Sequence, residues 1–363
     1  MKCGIVGLPN VGKSTLFNCL SNAKALAANY PFATIEPNIG VIPVPDDRLT
    51  KLEELVKPQR VQQAIVEIVD IAGLVRGASK GEGLGNKFLA NIRETQAIIH
   101  VLRCFNNKNI AHVDGSIDPV RDKQTIDLEL QIKDLESIEK KIESTKKRTR
   151  TGDKEAKKDL ALLEKYKIHF ESGNSARSID LSDKEKFVVS DLMLLTDKPI
   201  LYVCNVSESD AVKENSYVQA VRDSIKGEDA EIIVIAAEME ADIMELDSFE
   251  ERQEFLQDIG LSEPGVKKVI RTAYQLLNLQ TYFTAGKKEV RAWTIKKGFT
   301  APQAAGVIHT DFEKGFIRAE VISYNNYLSF GTELACKEAG KLSVEGKDYV
   351  VKDGDIMHFR FNV

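Results

Sequence analysis

Nine residues near the amino terminus, Gly7-Leu8-Pro9-Asn10-Val11-Gly12-Lys13-Ser14-Thr15, constrain this chain more than any other stretch. They match G-x-x-x-x-G-K-[ST], the phosphate-binding P-loop. The flanks suit the motif. Cys3, Ile5 and Val6 read as a short buried strand, and the run from Thr15 to Leu20 reads as a helix start with one apolar face. In a strand, glycine loop and helix, backbone N–H groups can turn toward an anion, and the helix terminus adds positive potential. The motif therefore predicts a nucleoside triphosphate site, with Lys13 reaching the β- and γ-phosphates and Ser14 on Mg²⁺.

Further along, Ala27–Asn38 carries two prolines and two asparagines around Thr34, which reads as an irregular loop. Its distance from the P-loop suits a segment that closes over the γ-phosphate, with the Thr34 hydroxyl completing the Mg²⁺ shell. Ile65–Val69 is a β-branched run ending in Asp70-Ile71-Ala72-Gly73, a D-x-x-G. There Asp70 is expected to hold a metal-bound water and the Gly73 N–H to meet the γ-phosphate, a catalytic contact alongside that of Lys13. Leu74 follows, where signalling GTPases place the glutamine that orients the attacking water. A leucine cannot hydrogen-bond water, so another group must do so.

Ala97–Phe105 reads as the next strand, followed by a polar loop containing His112. Sites in α/β sheets lie at the carboxyl ends of strands. His112 either orients or deprotonates water there, or is a surface histidine. Two more strands are expected at Pro199–Cys204 and Glu231–Ile235. Their ends carry Asn205-Val206-Ser207-Glu208 and Ala236-Ala237-Glu238, where a GTPase has N-K-x-D and S-A-K. In N-K-x-D the aspartate accepts both N1–H and N2–H₂ of guanine. Val206 and Glu208 replace the lysine and the aspartate, which argues against strict guanine reading and permits adenine.

Between these strands, Leu128, Ile132, Leu135 and Ile142 form a coiled-coil stripe. Ala156, Leu160, Leu163 and Lys167 line the face of a second helix. Residues 122–170 are therefore an inserted antiparallel arm, dividing a nucleotide-binding region into 1–121 and 171–275. The arm's tip, Lys146-Lys147-Arg148-Thr149-Arg150, can meet RNA phosphates or stand as a solvated hairpin end. From 276 to 363 the sequence reads as a small β-rich module, with strands at Val290–Thr294, Gly315–Val321, Asp348–Val351 and Asp355–Phe361 and a helix at Ala301–Ile308.

Composition narrows the partners. A formal net charge of −5 announces no global basic field, so any nucleic-acid contact is a local patch. Five scattered cysteines without a C-x-x-C pair read as reduced thiols, expected in the cytoplasm. The sequence enters its first strand without a leader, and no apolar run approaches the roughly 20 residues that span a bilayer.

The motifs at Gly7–Thr15, Ala28–Asn38, Asp70–Leu74, Gly77–Leu89, Asn205–Glu208 and Gly354–Val363 together resemble the YchF/Obg-like ATPases, an offshoot of the Obg group of P-loop GTPases. The likeness covers essentially the whole chain. It implies an α/β fold: a P-loop NTPase core with a mainly parallel sheet, a coiled-coil arm, and a C-terminal TGS domain of ubiquitin-like β-grasp form. It implies slow ATP hydrolysis with Mg²⁺ and association with the ribosome (large subunit and 70S) through rRNA or ribosomal-protein contacts, with no membrane and no sequence-specific DNA partner. By motif match, Asn10, Val11, Gly12, Lys13, Ser14 and Thr15 take the phosphates. Asn205, Val206, Glu208 and Ala237 surround the base, Phe105 packs on adenine, and His112 fills the catalytic role missing at Leu74. Asn10 also stands where potassium-stimulated relatives carry an asparagine, which implies K⁺. The competing readings are an Obg-like GTPase and an RNA- or ribosome-binding protein with a regulatory nucleotide site.

Overall fold

The computed structural model describes residues 1–22, 39–71, 84–112, 115–246 and 248–362, and at 84–87 the backbone only. Thr34, Gly73 and Leu74, and most of the two glycine- and proline-rich loops that hold them, lie outside the described residues.

In chain order the elements are β1 (Lys2–Val6), α1 (Lys13–Asn22), β2 (Ile39–Pro43), α2 (Asp47–Val56), β3 (Arg60–Gln62), β4 (Ile65–Asp70), α3 (Leu84–Glu94) and β5 (Ala97–Arg103). Next come α4 (Pro119–Thr149), α5 (Lys154–Glu171), α6 (Asp183–Lys186), β6 (Ile200–Asn205), α7 (Ser216–Ser224), β7 (Glu231–Ile235), α8 (Ala237–Glu245), α9 (Phe249–Asp258) and α10 (Gly265–Leu276). The chain closes with β8 (Leu279–Ala285), β9 (Glu289–Lys296), α11 (Ala301–Ile308), α12 (Thr310–Lys314), β10 (Phe316–Ser323), α13 (Tyr324–Phe330), α14 (Glu333–Glu338), β11 (Ser343–Glu345) and β12 (Asp355–Phe361).

Two compact units result, the first holding Met1–Asn22 and Glu67–Val269, the second Val41–Val66 and the chain from Ile270 on. The sequence reading gave 41–66 to the nucleotide-binding region, and in the structure this stretch clusters with the C-terminal unit instead.

The first unit is built on parallel pairing in the order β4-β1-β5-β6-β7. β5 and β6 are buried at every position, as continuous apolar runs covered on both faces must be. Strand order reverses beside β1, so the loop after β1 opens at a topological switch point. His100 on β5 is a core histidine against Tyr202, with ring centroids 5.6 Å apart. Burial, with Lys123 and Arg177 nearby, lowers its pKa to about 3. The five cysteines are free and buried.

The arm starts earlier than expected. Asp118 caps α4, its side chain accepting from the Arg121 N–H, and Pro119 fills the first turn. The predicted stripe is only half right. Ile138 and Ile142 are buried against Leu163, Tyr166 and Phe170, with Leu135 and Leu160 packed at the edge. Leu128 and Ile132 are 54% and 37% exposed, while Ile126, Leu130 and Asp134 are buried. The first half of α4 packs against β5 and α7, which selects a different face from the one facing α5. Lys167, expected on the seam, pairs with Glu139 at 2.7 Å instead.

The second unit holds a mixed sheet, β11-β10-β12-β8-β9-β3, with α11 packed on its core around Tyr282, Ile295 and Phe359. The strand expected at Asp348–Val351 is absent. Tyr349 and Val351 bond instead to Ala301 and Phe299 at the start of α11, leaving one bridge between Thr300 and Val350. β3, unforeseen in the sequence, pairs in parallel with β9.

Candidate nucleotide-binding site

The site is built from the loops that follow β1, β5, β6 and β7. Asn10 takes a positive φ of 63°, and Gly12 one of 89°. A side chain at Gly12 would be strained and would also collide, since its Cβ would fall 2.1 Å from the Asn205 Nδ2. Lys13 opens α1, whose first-turn N–H groups have no intrahelical acceptor. Ser14 and Thr15 are exposed at that terminus.

The P-loop borders a cleft of about 1150 Å³. Its walls include Lys13, Ser14 and Asp70 together with Phe105, Val206 and Glu208. The Lys13 ammonium pairs with the Asp70 carboxylate, so the phosphate-reaching cation and the expected metal–water carboxylate meet at one spot. The Ser14 hydroxyl, exposed on the cleft, and the Asp70 carboxylate are hard oxygen donors that fit a Mg²⁺ site.

Asn205, expected at the base, has a structural task. Its Nδ2 donates to the Val11 carbonyl at 2.9 Å, and its Oδ1 accepts from the Ala237 N–H at 2.9 Å. One buried side chain therefore ties β6 to the P-loop and to α8. Val206 is buried, its N–H donating to Ile235 at 2.8 Å, and Glu208 is exposed where the cleft opens. Asn106, Asn107 and Ile110 after β5, and Met239 and Asp242 on α8, also line the cleft and were missed. Met239 and Asp242 lie two and five residues past Ala237, a hint that the S-A-K position carried.

The loop that carries His112 is firmly held. The Asn10 Nδ2 donates to the Ala111 carbonyl at 3.1 Å. The His112 Nε2 lies 2.8 Å from Asp122 Oδ2, and the two side chains are only 5% and 1% exposed. His112 is thus not a solvated surface histidine, and it stands beside the described lining of the cleft without being part of it.

Comparison decides the lineage. The chain is 58% identical over 362 residues to the ribosome-binding ATPase YchF of Haemophilus influenzae, covering 100% of this chain and 99% of that protein. This chain belongs to the YchF family. The YchF protein of Bacillus subtilis, also named a ribosome-binding ATPase, is 53% identical across 100% of both chains. A YchF-type C-terminal family model, described as a protein of unknown function, matches residues 279–362, and one described as a 50S ribosome-binding GTPase matches 2–156. The solved YchF GTPase of Schizosaccharomyces pombe superposes with a TM-score of 0.91 at 41% identity, over 99% of this chain and 97% of that one. The family names thus divide between ATP and GTP, which makes the base end of the cleft the informative part of this chain. Among the described residues no helix is long and apolar enough to cross a membrane.

Proposed function

We propose that this protein is a Mg²⁺-dependent ATPase of the cytoplasm that associates with the ribosome in a nucleotide-dependent way. The observation that carries the nucleotide choice is the pairing of a P-loop with Val206 and Glu208 in one cleft. A glutamate set one carbon further out than the N-K-x-D aspartate loses the paired acceptor geometry for guanine N1–H and N2–H₂. It still accepts from the single exocyclic amino group of adenine. The names of the bacterial relatives point the same way.

On this reading Asn10–Thr15 and Lys13 in particular hold the phosphates, Phe105 walls the base with Asn205, Val206, Glu208 and Ala237, and Ser14, Thr34 and Asp70 (through water) hold Mg²⁺. The metal supplies charge neutralisation at the phosphates. His112, braced by Asp122, positions the attacking water in place of the absent glutamine, with the Gly73 N–H on the γ-phosphate. The Asn10 carbonyl oxygen is the expected K⁺ ligand, tested by exchanging KCl for NaCl. The arm tip meets rRNA phosphates.

Competition for one labelled nucleotide tests the base assignment. ATP should displace the label at least about tenfold better than GTP, a difference of roughly 1.4 kcal/mol. GTP binding tighter would return the chain to the GTPase reading that the fission-yeast name favours.

A further inference from the structure

One buried side chain holds the loop that follows β5 and borders the cleft. Arg103 closes β5 and is 1% exposed. Its guanidinium stands over the Phe105 ring, 4.7 Å from the centroid. Its Nε donates to the Phe105 carbonyl at 3.3 Å. One terminal nitrogen donates to the Asn107 and Ile110 carbonyls at 3.2 and 3.0 Å. The other reaches the Ala111 carbonyl at 3.5 Å, the same oxygen that accepts from Asn10 of the P-loop. A planar fork with five donors is the one side chain able to gather four carbonyls in this way, whereas a lysine ammonium offers a point charge with three.

We propose that Arg103 is a positioning residue that makes residues 105–112 one rigid body, so that Phe105 at the base and His112 at the γ-phosphate both depend on its fork for their placement. The proposal rests on the assignment of Phe105 to the base and His112 to hydrolysis made above. Phe105, with the guanidinium over its ring, also lines the cleft, where base stacking and cation–π attraction can reinforce one another. Ala111, one residue before His112, is pinned from both sides by Arg103 and Asn10, so a shift of the guanidinium moves the histidine. A catalytic group displaced by an ångström loses much of its effect.

The test is a set of double-mutant cycles on the full-length protein, with ATP affinity from calorimetry and turnover from phosphate release. Phe105→Ala should weaken ATP binding by about tenfold and leave kcat within about threefold. His112→Ala should lower kcat by roughly 10–10³ and leave affinity within about threefold. Arg103→Lys, which keeps the charge and loses the fork, should move both quantities by about tenfold. Adding Phe105→Ala or His112→Ala to Arg103→Lys should then cost much less than in the wild-type background. A low, non-denaturing concentration of guanidinium should restore part of both functions to Arg103→Ala, where sodium at equal ionic strength does not. Multiplicative double mutants, or an Arg103→Lys protein with wild-type kcat and affinity, would overturn the positioning role alone. Single variants of Phe105 and His112 without effect would overturn the site assignment and the positioning role with it. Hydrogen exchange on the unmodified protein needs no variant to fold. Tripolyphosphate, which reaches only the phosphate end, should slow exchange at the amides of Asn106 and Asn107 as well as Ala111. Protection confined to Ala111 would count against a single rigid body.

Discussion

At the residue scale, Asn205 does framework duty at a position proposed to face the base. It spends its amide on Val11 and Ala237. Asn205→Ala leaves a buried carbonyl and a buried N–H unpaired, which should cost about 1–3 kcal/mol in a denaturant melt and weaken nucleotide binding too. Glu240 gives a pH signature from the same neighbourhood. Burial raises its carboxyl to about 7, although the Gly265 and Val266 N–H groups and Lys268 pull it down. Its folded pKa lies above the unfolded value of 4.5, so the folded state holds the proton more tightly between the two. Stability should therefore fall as pH rises from about 4.5 to about 7, and the penalty persists above. Glu240→Gln, unable to ionise, should flatten that slope in thermal melts taken across this range. An unchanged slope would place the titration elsewhere.

At the element scale, the base of the arm is fixed by Asp134 on α4. Fully buried, it accepts from the Leu195 N–H, the Thr196 N–H and the Thr196 hydroxyl at 2.7–2.8 Å. Burial raises its pKa and these three bonds oppose that rise. Asp134→Ala should cost about 2–4 kcal/mol by leaving those donors buried without an acceptor. Asp134→Asn should cost less, keeping one acceptor. The tip is a different kind of element. Arg148 pairs with Asp153 at 2.8 Å on an exposed turn, where such a bridge contributes little. Neutralising Lys146, Lys147, Arg148 and Arg150 together should leave the melting temperature nearly unchanged and flatten the salt dependence of ribosome binding. An identical salt slope would return the tip to a solvated hairpin end.

At the scale of the whole molecule, the second unit is assembled from two distant parts of the chain. Arg48 bridges Asp46 and Asp353 at 2.8 and 2.7 Å and stands over Phe283. Lys287 donates to the Val56 carbonyl at 2.9 Å, and β3 adds Val61 beside Val290. Leu49, Leu52, Val56 and Val61 are buried there. A fragment of residues 270–363 joined to 41–66 by a flexible linker should therefore be ~3–6 kcal/mol more stable than 270–363 alone. Equal stabilities would show the two segments to be independent.

These scales also separate what could be read early from what could not. The P-loop, the strands at Ile65, Ala97, Ile200 and Glu231, and the places of Val206, Glu208 and Ala237 at strand ends followed from local pattern, while Phe105 came only with the family resemblance. A glycine motif between a strand and a helix, or an apolar run with a polar end, carries its meaning within a few residues. Leu128 and Ile132 misled because periodicity shows that a helix has an apolar stripe but not which neighbour will cover it. Asp348–Val351 misled because strand propensity cannot show that the backbone there will be taken by the start of α11. Arg103 gave no signal at all, since an arginine ending an apolar strand reads as a solvated terminus. Its value comes from four carbonyls that the loop brings within reach only once folded. The sequence by itself determined that a P-loop follows the first strand, because that pattern is local. Only the tertiary structure decided that Asn205 braces the P-loop and that 41–66 serves the C-terminal sheet, because both depend on partners tens to hundreds of residues away, and that Arg103 gathers the loop before His112, because only the folded loop turns those nearby carbonyls toward it.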